Sequence, residues 1–168
     1  MLKKILITGC DGYIGWPFFL KTALKNKEYK IIGVDNFGRR KWVKEVKEKS
    51  FTKIYSLNER LKELKKISKR KNFRFINLDL TNYKKTSSLI KKFKPDIIFH
   101  LAAQPSAPYA NSNPQRATYT NYNNNQSTLN MLWALKKNNL LKTIFVETTT
   151  TGVYGTPDFN INEGFNIL

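Results

Sequence analysis

A single cysteine, Cys10, stands among the 168 residues. One thiol makes neither an internal disulfide nor a zinc cluster, which excludes the small folds framed by either. Long apolar runs are missing too: none approaches the roughly 18 to 20 residues that cross a bilayer, so no membrane span is expected. Acidic residues are scarce, 12 against 30 Lys and Arg, for a formal net charge of +18. Such a balance ordinarily points to nucleic acid or an anionic surface. The lysines, however, are spread along the whole chain and accompany abundant Asn, Ile and Phe, a bias that AT-rich coding also produces. In the densest cluster, Lys62 to Lys71, the charges fall among Leu57, Leu61, Leu64 and Ile67 at helical spacing, as on an amphipathic surface helix. No specific nucleic-acid partner is expected, only salt-sensitive association with polyanions. With 40% hydrophobic residues the chain has room for one packed core. Its first apolar run begins almost at Met1, which leaves no space for a leader, and a soluble cytoplasmic protein is the expectation.

Against these absences stands one dense motif. Gly9, Gly12 and Gly15 form G-x-x-G-x-x-G behind the run Lys4-Ile5-Leu6-Ile7-Thr8 and ahead of a stretch able to start a helix. A strand-to-helix turn of this kind uses its glycines for a tight bend, for close approach of backbone to pyrophosphate and for helix-on-sheet contact. The phosphates then face the positive end of the helix. A second run, Lys30-Ile31-Ile32-Gly33-Val34, ends in Asp35. It lies about twenty residues after the last glycine, where a carboxylate can hold the adenosine ribose hydroxyls. Arg39 and Arg40 follow and would suit a 2′-phosphate, but Asp35 would repel it, so NAD is favoured over NADP. Cys10, inside the turn, reads as a small residue that fits there, with a reactive thiol at a helix N-terminus as the alternative.

Strand and helix patterns alternate. Strands are expected over 3–8, 30–35, 73–78, 96–101 and 142–148, with helices near 13–26, 83–93 and 115–138 and a charged helical excursion over 41–70. Such alternation predicts an α/β, doubly wound parallel sheet of the Rossmann-like kind. The Asn-rich segment Asn121-Tyr122-Asn123-Asn124-Asn125 falls inside a helix-length stretch continued by Leu129, Leu132 and Leu135. Ligands bind such sheets at the carboxyl ends of the strands. There the sequence places Asp79 and Leu80, then His100-Leu101-Ala102-Ala103-Gln104, whose alanines admit a dinucleotide, then Thr148-Thr149-Thr150-Thr151 before Val153-Tyr154-Gly155. The threonine run is either a hydroxyl cluster over the nicotinamide or ordinary strand filler.

These motifs resemble the extended short-chain dehydrogenase/reductase family, the NAD-dependent nucleotide-sugar epimerases and dehydratases. Within it, Gly12-Tyr13-Ile14-Gly15-Trp16, Gln104 with Ser106-Ala107-Pro108-Tyr109, and Tyr154-Gly155-Thr156-Pro157 are similar to the sulfoquinovose-synthase branch. The resemblance implies one NAD-binding domain over 1–168, with Gly9, Gly12 and Gly15 on the pyrophosphate, Asp35 on the ribose and Asp79 on the adenine side. It adds Asp11, Tyr13, Ile14, Asn36, Arg39, Leu80, Leu101, Ala102, Ala103, Gln104, Tyr119 and Asn124 to the cofactor site, gives Thr150 the catalytic hydroxyl, and calls for no metal. It also implies, for a complete enzyme, UDP-glucose and sulfite as substrates, and a homodimer. Another nucleotide-sugar epimerase or dehydratase, or a non-catalytic dinucleotide- or polyanion-binding module, are the alternatives.

The family's Tyr-x-x-x-Lys, in which lysine lowers the pKa of a tyrosine acting as general base, does not occur: no tyrosine has a lysine four positions later. The expectation is therefore a sheet truncated after about the fifth strand, with the substrate domain absent and no turnover by this chain alone. Pro105 stands where the synthases carry arginine.

Overall fold

Ile5, Leu6 and Ile7 are all at 3% exposure or less, because β1 (Lys3–Thr8) lies in the middle of a sheet covered on both sides. The computed structural model describes residues 3–25, 28–68 and 72–149, with 156 and 158. In it β1 pairs in parallel with β2 (Tyr29–Asp35) and with β4 (Ile97–His100). Beyond β2 lies β3 (Phe73–Asn77) and beyond β4 lies β5 (Ile144–Glu147), so the order is β3-β2-β1-β4-β5 with every pair parallel. The direction of winding reverses between β1 and β4, and that switch point opens a crevice at the carboxyl ends of the two strands.

Alternation along each strand divides the core. Leu6, Ile32, Val34 and Ile98 face one side and meet Leu89, Ile90 and Phe93 of α4 (Tyr83–Phe93) and Met131, Ala134 and Leu135 of α6 (Pro114–Lys137). Ile5, Ile7, Ile31 and Phe73 face the other side, against Phe19 and Ala23 of α1 (Gly15–Lys25) and Leu64 of α3 (Leu57–Ser68). Burial of each of these Ile, Leu, Val, Phe and Met side chains is worth about 1.5–3 kcal/mol, so a doubly wound sheet is what two apolar faces require.

The charged excursion is two helices, α2 (Gly38–Glu45) and α3, joined across 46–56. Leu57 and Leu64 anchor α3, Leu61 is partly buried, but Ile67 is 65% exposed, so the apolar stripe ends one turn early. A short helix, α5 (Ala107–Ala110), precedes α6 where no periodic signal predicts one; its Ser106 side chain accepts from the Tyr109 N–H, and Pro108 lies in its first turn. Polar residues hold α6 in place despite its Asn-rich start. Buried Asn130 donates from Nδ2 to the carbonyls of Leu80 (2.8 Å) and Thr81 (2.9 Å), tying the helix to the loop after β3. Among the described residues no helix is long and apolar enough to cross a membrane.

Candidate functional site

The glycine turn is closed by backbone packed on backbone. Gly9 has φ +68°, and a Cβ there would lie 2.5 Å from the Leu101 carbonyl oxygen and 2.8 Å from the Ala102 nitrogen. A Cβ on Gly15 would lie 2.0 Å from the Gly9 oxygen, whereas one on Gly12 would lie 3.0 Å from it. The Gly12 N–H donates to that oxygen at 3.0 Å and the Trp16 N–H to the Gly12 carbonyl at 3.1 Å, winding the turn directly into α1. The third glycine is needed where the helix start meets the turn itself. The close contact between helix and sheet falls instead to Gly33, where a Cβ would meet Cys10 Sγ at 2.8 Å and the Phe19 ring at 2.9 Å. Nothing in the G-x-x-G-x-x-G spacing signals that position. Cys10 is itself buried, and burial first, then the charges of Asp35 and Asp11, push its thiol well above the usual range. Its thiolate is suppressed, so it fills the turn rather than reacting.

A hollow opens above this turn at the switch point. Gly9, Gly12, Tyr13, Ile14 and Gly15 line its floor. Asp35 and Asn36 lie at the end of β2, Arg39 in the first turn of α2, Asp79 and Leu80 after β3, and Leu101, Ala102 and Ala103 after β4. Asp35 is held ready: its Oδ2 accepts from the Asp11 N–H at 2.8 Å and its Oδ1 from the Phe37 N–H at 2.7 Å. Burial nevertheless raises its pKa above 3.8, with those backbone donors opposing the shift. Asp79 turns Oδ1 to the N–H (2.9 Å) and hydroxyl (2.7 Å) of Thr81. Tyr13 is 81% exposed at the mouth, with the Arg39 guanidinium 6.0 Å from its ring centre.

Four expected residues stand back from the hollow. Asp11 points away into an ion cluster with Arg40 and Arg60. Gln104 is 2% exposed and serves the loop: its N–H donates to Asn124 Oδ1 at 2.8 Å, while Asn124 Nδ2 returns a bond to the Gln104 carbonyl at 3.0 Å. This pair positions the strand end against α6. Tyr119 lies in a neighbouring hollow with Tyr109, whose hydroxyl donates to Glu45 at 2.6 Å. Thr150 and the Val153-Tyr154-Gly155 motif lie outside the described residues, though Thr148 reaches the hollow. Sequence reasoning missed Trp42, Pro105, Asn123 and Ser127, which also line it. Asn123 and Ser127 are four apart on one face of α6, a small polar spacing that was the available signal.

A polar chain runs from buried Thr8 and His100 through half-buried Thr128 to exposed Glu147, and its proton order can be assigned. Thr8 Oγ1 accepts from the N–H groups of Leu101 (3.2 Å) and Ala102 (3.3 Å), so its own proton goes to His100 Nδ1 at 2.8 Å. His100 therefore carries its hydrogen on Nε2 and donates it to Thr128 Oγ1 at 3.1 Å, which donates to Glu147 at 2.8 Å. Burial lowers the His100 pKa, and the smaller pull of Glu147 opposes it.

The family model for GDP-mannose 4,6-dehydratase matches residues 6–166. The chain belongs to this family. Among these NAD-dependent epimerases and dehydratases it is 36% identical over 165 residues to the UDP-sulfoquinovose synthase of Sulfolobus acidocaldarius, covering 98% of this chain and 41% of that protein. It is 33% identical to the chloroplastic UDP-sulfoquinovose synthase of Spinacia oleracea, covering 97% of this chain and 33% of that protein. The chain thus spans about two fifths or less of the length of these family members. The fold is shared with UDP-glucose 4-epimerase from Bifidobacterium longum, solved with NAD+ and UDP, at a TM-score of 0.71 and 22% identity over 96% of this chain and 41% of that one.

Proposed function

We propose that this chain is the NAD-holding part of a nucleotide-sugar enzyme of the UDP-sulfoquinovose synthase kind. One observation carries the reading: the glycine turn, the carboxylate of Asp35 and the Leu101–Ala103 loop converge on one hollow at the switch point of the sheet. The residues fit a dinucleotide, because the turn excludes the Cβ atoms that would block backbone amides from a pyrophosphate at the positive end of α1. Asp35 keeps lone pairs for the adenosine ribose after taking its two backbone donors, and Asp79 and Leu80 flank the adenine side. NAD, when bound, supplies a hydride acceptor. Thr148 lines the hollow, and Thr150 is proposed as the hydroxyl that orients the 4-oxygen of the sugar. UDP-glucose and sulfite belong to the complete enzyme. Without a Tyr-x-x-x-Lys pair, this chain holds NAD and does not turn over.

Calorimetry tests the reading. NAD is expected to bind in roughly the micromolar range, and Asp35→Ala to weaken it about tenfold to a hundredfold, the value of one hydrogen bond to a charged acceptor. Affinity should fall on acidification from a pH above 3.8, because the ionised carboxylate is the acceptor and its pKa is raised. No heat with NAD at any pH would refute the proposal, and product from NAD, UDP-glucose and sulfite would refute the claim of no turnover. The reading includes a homodimer, supported by Leu129, Leu132 and Trp133, which are 46–51% exposed on α6. Sedimentation at micromolar protein should give twice the chain mass; a monomer would remove that part.

A further inference from the structure

Asp11 is the one residue of the glycine turn whose charge is already committed. Its side chain is 5% exposed and accepts from Arg40 Nε at 2.6 Å and Arg40 Nη2 at 3.0 Å, a bidentate pair, and also from Arg60 of α3. Arg40 Nη2 further donates to the Tyr55 carbonyl at 3.1 Å, and the Arg60 guanidinium lies 4.3 Å from the Trp16 ring centre. The Asp11 N–H donates to Asp35 Oδ2, so the ion cluster and the carboxylate at the mouth of the hollow are contiguous. Arg40 thus sits on the first turn of α2, next to the end of β2, where a free guanidinium would be placed to take a ribose 2′-phosphate. Its planar fork suits phosphate as well as carboxylate, and it can serve one at a time. In this chain the fork is taken by Asp11.

We propose that Asp11 sets the preference for NAD over NADP by holding Arg40 in a bidentate pair and keeping its guanidinium off the adenosine ribose. The proposal rests on the dinucleotide reading above and assigns a specificity-determining residue. Removing the Asp11 charge acts with one sign by two routes. Arg40 turns to a 2′-phosphate, or it pairs with Asp35 and cancels the charge that repels one. Arg39, which lines the hollow with no carboxylate partner among the described ion pairs, is then joined by a second cation on the same side.

The test titrates the intact chain with NAD and NADP in parallel, as wild type, Asp11→Asn, Arg40→Met and the double variant, with circular dichroism reporting the fold. Asp11→Asn is expected to raise the ratio of NADP to NAD affinity about tenfold, the value of one charge-assisted hydrogen bond. Adding Arg40→Met should cancel that gain. Arg40→Met alone should leave the ratio within about twofold, since the wild-type guanidinium is withheld. A ratio unmoved in folded Asp11→Asn overturns the proposal while leaving NAD binding intact. A wild type that binds neither dinucleotide sinks the underlying reading as well. Should Asp11→Asn fail to fold, Arg40→Met decides: an NADP-specific loss beyond about twofold means Arg40 already serves the ribose, and the proposal fails.

Discussion

Replacement of Gly15 by alanine is expected to weaken NAD binding severely and to destabilise the fold together. The added Cβ would stand 2.0 Å from the Gly9 oxygen, 2.7 Å from the Gly9 carbonyl carbon and 2.9 Å from Cys10 Cα. All three are backbone atoms, so no side-chain rotation relieves the overlap; the turn must move away from the start of α1. Gly9 has nowhere to go, because it is itself packed on Leu101 and Ala102. A cost of about 3 kcal/mol follows, at the upper end for overpacking. Affinity for NAD should fall by roughly a hundredfold or more as the amides leave their places. Gly12→Ala is the control: its Cβ would meet only the Gly9 oxygen, at 3.0 Å, so stability should change little while cofactor affinity still falls. Chemical denaturation with calorimetry separates the two. Equal behaviour of both variants would show that the three glycines are not distinguished in the way described.

The second large effect belongs to His100. Its substitution by alanine strips partners from Thr8 and Thr128 and leaves space beneath the hollow, for a loss of about 3 kcal/mol combining unsatisfied hydroxyls and a cavity. A pH signature accompanies it. Burial lowers the folded-state pKa below 6.5, so on acidification the unfolded chain takes up a proton first. The neutral imidazole's contribution is complete above 6.5 and declines as pH falls from there toward the folded-state value. Asp35 has the opposite sign. Its raised pKa lets the folded state take up a proton before the unfolded chain does, which adds stability as pH falls toward 3.8. Denaturation midpoints between pH values either side of 6.5 should fall in the wild type and flatten in His100→Gln. The same slope in both would mean that His100 is not the group responsible.

The alternation of strands and helices was legible because parallel strands buried on both faces read as unbroken apolar runs, as in Ile5-Leu6-Ile7 and Ile31-Ile32. Helix 83–93 is read to its last residue, since Asn82 caps it through Lys85 and Lys94 ends it with φ 50°. The excursion after β2 blurred into one stretch because lysines continue across 46–56 while the core contacts do not. At the site, positions at strand ends were legible from order alone, which places Asp35, Asp79 and Leu101–Ala103 around one hollow. Asp11 was not: a carboxylate beside a phosphate turn reads as ligand contact until two arginines from distant helices are seen to converge on it. Long-range ion pairing leaves no local periodicity to read.

The juxtaposition of β1 and β4 has a consequence for how the molecule comes into being. Thr8 and His100 meet across a separation of 92 positions, whereas β1 and β2 are joined through one helix. Chain closure over the longer span is the slower event, so the β1–β2–β3 half zips up first and β4 inserts beside it later. On a ribosome, the glycine turn is made early but has no opposite wall until the segment around Leu101 has emerged. A nascent chain therefore passes through an interval with one flank of its central strand bare.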